Sequence, residues 1–97
     1  FAHALQKHPN GTADYVRCRP DQVPLCTRWI CRTPDQDGLG IAFPSTSGVE
    51  GYTVEKAKGR IKTVQSGETW RVEIKLGLLT GSETEQIIEM IAALKGL

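Results

Sequence analysis

Two stretches decide how this chain folds: Gly38-Leu39-Gly40-Ile41-Ala42-Phe43-Pro44-Ser45-Thr46, and Trp70-Arg71-Val72-Glu73-Ile74-Lys75-Leu76-Gly77-Leu78-Leu79, which follows a Ser66-Gly67-Glu68 turn. In the second, Trp70, Val72, Ile74, Leu76 and Leu78 alternate with Arg71, Glu73 and Lys75. Period-two alternation marks a strand with one dry face and one wet face. The first stretch predicts a shorter strand from Leu39 to Phe43. Plain alternation puts Leu39, Ile41 and Phe43 on one face and only Gly40 and Ala42 on the other, leaving room there for another backbone or a ligand.

Working outward, Ala13 to Arg19 and Leu25 to Arg32 read as two further strands, the latter rich in aromatic and β-branched residues. On it Trp29 shares a face with Leu25, Thr27 and Cys31, opposite Arg28. Pro20-Asp21 with Pro24, and Thr33 to Gly38, are turns. Gly59 to Val64 predicts a short strand, and Pro44 to Glu55 a loop. The start, Phe1 to Lys7, predicts a helical turn stopped by Pro9 and Asn10-Gly11. At the other end Ser82-Glu83-Thr84-Glu85 predicts a capping box opening a helix with an Ile87, Ile88, Ile91, Ala92, Leu94 stripe. The sum is an all-β, antiparallel fold with a C-terminal α-helix.

Composition bounds the function. With 97 residues there is room for one domain, and a net charge of +1 lacks the concentrated basic face of a nucleic-acid binder. No apolar run spans a bilayer, and the acidic polar face of the terminal helix does not suit anionic lipid. Cys18, Cys26 and Cys31 are spaced eight and five apart, unlike any Cys-x-x-Cys pair. Three free thiols suggest a reducing, cytoplasmic setting. The chain opens without an initiator Met or a signal peptide, so the expectation is a segment of a longer reading frame or a trimmed product.

Chemistry-bearing residues are few. His3 and His8 are five apart, the wrong offset for two ligands on one helix face, and no phosphate-cradling glycine loop or nucleophile relay is present. The aromatics are weighed for sugar binding, in which rings stack on the C–H faces of a pyranose and a few polar groups fix the hydroxyls. Trp29, Phe43, Tyr52 and Trp70 are the candidate aromatics, and Glu50 and Glu55 are the acids placed to reach a ligand from the loop after the third strand. Trp70 belongs to the dry stripe.

The order of these elements resembles the C-terminal part of the aldose 1-epimerase (galactose mutarotase-like) family. An aromatic strand (Leu25 to Cys31) is followed by a Gly-apolar strand (Gly38 to Phe43). A Pro-rich loop (Pro44 to Tyr52), a Gly-Glu turn (Ser66-Gly67-Glu68) and a final amphipathic strand (Trp70 to Leu79) complete it. The resemblance implies a partial, mutarotase-like β-sandwich spanning residues 1–97 that binds a hexose. In that family a Glu at the end of the Gly-apolar strand and an upstream His exchange protons with the sugar to interconvert anomers. Here Phe43 or Pro44 stands at the Glu position, so no catalytic residue, cofactor or metal is expected in this chain. The partners expected are a hexose and either missing N-terminal strands or a second copy covering exposed sheet edges. The alternative expectation is a small, non-catalytic β-rich interaction module using an exposed edge or the terminal helix.

Overall fold

A computed structural model describes residues 1–96, apart from the side chains of Leu39 and Ile41. Five strands and two helices follow one another as β1 (Ala2–Lys7), β2 (Ala13–Cys18), β3 (Leu25–Arg32), β4 (Asp37–Ser45), α1 (Tyr52–Ala57), β5 (Ile74–Leu79) and α2 (Gly81–Leu94). They form two small antiparallel sheets, one in the order β1-β2-β5 and one pairing β3 with β4. The chain is mostly β with a C-terminal helix.

The start of the chain corrects the helical expectation. Ala2 to Lys7 contains good helix formers, yet it is a strand, because pairing with β2 supplies what a one-turn helix cannot. His3 lies opposite Arg17 and Leu5 opposite Tyr15. The connecting turn closes where Pro9-Asn10-Gly11 signalled it: the His8 N–H donates to Thr12 O at 2.8 Å, and Gly11 takes φ 91°. One face of this sheet carries Ala4, Val16 and Cys18, all buried. The β3–β4 sheet lies over this face, leaving a cavity of about 440 Å³ between them, lined by Val16 and Cys18 on one side and Cys26, Ala42 and Pro44 on the other. Burial, then the neighbouring Cys26, push the Cys18 thiol above its ordinary pKa.

The other face holds a part-buried pair. His3 Nδ1 and the Tyr15 hydroxyl share a hydrogen bond of 2.5 Å. Burial first, then the N-terminal ammonium and Arg17, hold the His3 imidazole below its usual 6.5. The folded chain therefore binds fewer protons than the unfolded chain in the window just below 6.5. Stability is expected to fall as pH drops through that window. Urea unfolding of the parent chain between neutral pH and about pH 5 should show this slope, and a His3→Gln chain should show less of it.

Four further expectations are corrected at the C-terminal half. Residues 60–73 form no strand, so the predicted Gly59 to Val64 strand is absent and the Trp70 to Leu79 strand begins only at Ile74. Pro44 to Glu55 is not all loop, since β4 runs to Ser45 and α1 opens at Tyr52. The dry face is also not dry: Ile74, Leu76 and Leu78 are 41%, 71% and 69% exposed. The β3–β4 sheet covers β1 and β2 and leaves β5 bare.

Helix α2 starts two residues earlier than the capping signal at Ser82. Thr80 is the N-cap: its hydroxyl accepts from the Glu83 N–H at 3.3 Å, while the Glu83 carboxylate accepts from the Thr80 N–H at 2.9 Å. The Thr80 N–H first, then the Thr80 hydroxyl, hold the Glu83 carboxyl below the ordinary carboxylate range. The box moved because Thr80 follows β5 directly, so its extended backbone already suits a cap. Thr80→Ala is expected to cost about 1 kcal/mol of helix stability, whereas Ser82→Ala should cost almost nothing. Amide exchange along α2 in the two variants separates them.

Candidate functional site

The β3–β4 hairpin builds a groove because its ladder slips once. Leu25, Cys26 and Thr27 pair with Ser45, Pro44 and Phe43, but Trp29 pairs with Gly40. Two residues of β4, 41 and 42, therefore stand opposite the single Arg28, which is a β-bulge. Directly opposed residues share a face, so Thr27, Trp29, Gly40 and Phe43 all lie on the same side. Plain alternation had put Gly40 and Phe43 on opposite sides. The bulge reverses that, while the expected Leu39 and Ile41 part of the opposite face falls outside the described side chains.

The glycines now have a function in the packing. A Cβ at Gly40 would overlap the Phe43 ring, and one at Gly38 would stand 3.1 Å from Cζ3 of Trp29. Each aromatic ring thus lies against bare β4 backbone, so the room left by these glycines is filled from within the hairpin. The rings remain 56% exposed at Trp29 and 53% at Phe43. They line an open groove of about 680 Å³ together with Thr27, Arg28, Ser45 and the Ser47–Val49 segment. The Ser45 hydroxyl donates to the Ser47 carbonyl, which folds this segment up as a wall.

A buried carboxylate braces the wall from behind. Glu55 in α1 is 2% exposed, and its Oε1 accepts the Gly48 N–H at 2.5 Å and lies 3.5 Å from Nη1 of Arg60. A Cβ at Gly48 would stand 2.7 Å from that oxygen, so glycine is the residue that lets the loop approach.

Of the residues named from the sequence, Trp29 and Phe43 come together and Glu50 and Tyr52 do not. The Glu50 carboxylate is ion-paired with Lys58, which holds it below the ordinary carboxylate range, and with Lys58 and Arg60 it lines an adjoining depression that shares Thr27, Gly48 and Val49 with the groove. Tyr52 is 66% exposed at the start of α1, with the Lys56 ammonium 5.8 Å from its ring centre. Arg28, Ser45 and Ser47 were missed. The Pro44-Ser45-Thr46 bend hinted at the serines, but Arg28 was assigned to the face opposite Trp29; it lines the cavity on that side with Cys26 and Pro44 and also borders the groove. Phe43 faces the groove, whereas Pro44 lines the cavity on the opposite side of the hairpin.

The groove contains hydroxyls, one guanidinium and two aromatic faces, with no carboxylate or imidazole on its walls. Among the described residues no group of three or more His, Cys, Asp or Glu side chains is arranged to hold a metal ion, and no helix is long and apolar enough to cross a membrane. No family model, curated protein or solved structure matches this chain.

Proposed function

We propose that this chain binds a hexose in the Trp29–Phe43 groove without transforming it. The observation that carries the reading is the pair of half-exposed rings laid on glycine backbone beside Arg28, Ser45 and Ser47. Pre-positioned rings offer an apolar floor to the C–H face of a pyranose, and the hydroxyls and guanidinium can reach its oxygens. The volume of about 680 Å³ falls within the range of small-molecule sites. On this reading the chain is a mutarotase-like segment with Phe43 or Pro44 in place of the general base, although Glu50 and Tyr52, expected beside Trp29 at the sugar, lie outside the groove. Anomer interconversion needs a positioned acid and base, and the groove walls supply neither.

Proton NMR of the chain with excess glucose or galactose tests it. The Trp29 indole N–H and the Phe43 ring signals should shift while the Trp70 indole stays put. No movement at Trp29 with either sugar would overturn the reading.

A second reading, a protein-interaction module, is favoured by one separate observation. The chain exposes 7275 Å² and has a radius of gyration of 16.3 Å. A compact monomer of this length exposes about 5,500 Å² and measures about 12.5 Å. The surplus is the kind of surface that a partner covers. Small-angle scattering checks the dimension in solution.

A further inference from the structure

We propose that the outer edge of β5 pairs antiparallel with the same edge of a second copy of this chain, about a two-fold axis through Leu76. The proposal rests on the interaction-module reading and names its partner.

Strand β5 has β2 on one side, and among the described residues no strand pairs with the other. Edge strands are normally kept single by proline, inward charge, a bulge or a covering element. Ile74-Lys75-Leu76-Gly77-Leu78-Leu79 has no proline, its pairing with β2 runs without a register shift, and Lys75 is its one charge. The sheet's other edge, β1, lies beside β4. The free edge is therefore β5, and its bare row is Ile74, Leu76 and Leu78.

The strand is complementary to itself in one register. With Leu76 opposite Leu76 of the copy, Ile74 lies opposite Leu78 and Lys75 opposite Gly77. Opposed residues share a face, so six aliphatic side chains meet in one row and neither lysine faces the other directly. Nothing lies within 4 Å of where a Gly77 Cβ would stand, leaving the Lys75 side chain of the copy unobstructed. Moving the register by one residue would set the apolar row against the Lys75 side and lose this match.

The test uses the full chain with Cys26 and Cys31 changed to Ser, both being exposed. Sedimentation should show a dimer, and Leu76→Lys should weaken it about tenfold or more while circular dichroism stays unchanged. Under mild oxidation Leu76→Cys should give a covalent dimer, because opposed Cα atoms lie about 4.5–5.5 Å apart, within disulfide reach. Ile74→Cys should not, since its opposite number is Leu78. A dimer that survives Leu76→Lys, or fails to cross-link at 76, overturns the β5 proposal and leaves the interaction reading standing. A monomer whose β5 amides exchange freely does the same, pointing to a strand from another partner. A monomer of about 12.5 Å radius with protected β5 amides overturns both.

Discussion

Trp29→Ala is expected to weaken hexose binding about tenfold or more, with Phe43→Ala close behind, while Glu50→Gln and Tyr52→Phe leave it unchanged. An aromatic ring that offers one whole face to a ligand carries a large share of the contact area, and a loss of about 1.4 kcal/mol is a factor of ten. Both rings are half-exposed before any ligand arrives, so neither truncation opens a hole in the core. The loss should therefore appear in the sugar titration and not in the unfolding curve. Glu50 and Tyr52 act as internal controls because they lie outside the groove. Equal losses from Trp29→Ala and Glu50→Gln would show that the ligand sits elsewhere. Gly40→Ala bears on the same geometry: the new Cβ displaces the Phe43 ring, so binding should fall although no contact group is removed.

Arg60→Met should have the largest effect on local stability. It strips the cation from a carboxylate that is 2% exposed and that otherwise holds only the Gly48 N–H. Leaving a buried charge uncompensated costs about 3–5 kcal/mol, and because the Arg60 side chain is 40% exposed the expected cost is at the low end, about 3 kcal/mol. Glu55→Met should cost less, about 1–3 kcal/mol for the Gly48 N–H left without its acceptor, since Arg60 then reaches solvent and an apolar side chain fills the cavity. The readout is amide exchange at Glu55 and Lys58, whose N–H groups donate to Gly51 and Val54 within the α1 turn. If Arg60→Met leaves those rates unchanged, Glu55 does not brace the wall through that pair.

What was legible in the sequence was what depends on local pattern. The Leu25 to Arg32 strand, the Pro-Asn-Gly turn and the terminal helix stand where β-branched residues, turn chemistry and apolar periodicity put them. What was not legible depends on partners distant in sequence. Residues 2–7 are a strand because β2 is there to pair with, and no window of seven residues contains that fact. Alternation over Trp70 to Leu79 correctly called extended chain at its end, but period two reports which residues share a face and not whether anything covers them. For the groove, Trp29 and Phe43 were found from residue type, whereas the placing of Gly40 and Phe43 on one side depends on a bulge that plain alternation cannot contain. Glu55 was legible with Glu50 as an acid of the loop that could reach a ligand, but not its burial, because that depends on the Gly48 loop folding back over it.

The bulge also bears on how this chain can vary in length. In an ordinary strand, losing one residue turns every side chain beyond the gap to the other face. Between Gly40 and Phe43 the strand already carries one residue more than its partner requires. Deleting position 41 or 42 would restore simple alternation with Gly40 and Phe43 still on the groove side. Natural variants shortened by one residue are therefore expected to lose it there and not within β2, where the same deletion would exchange Tyr15 and Val16 between faces.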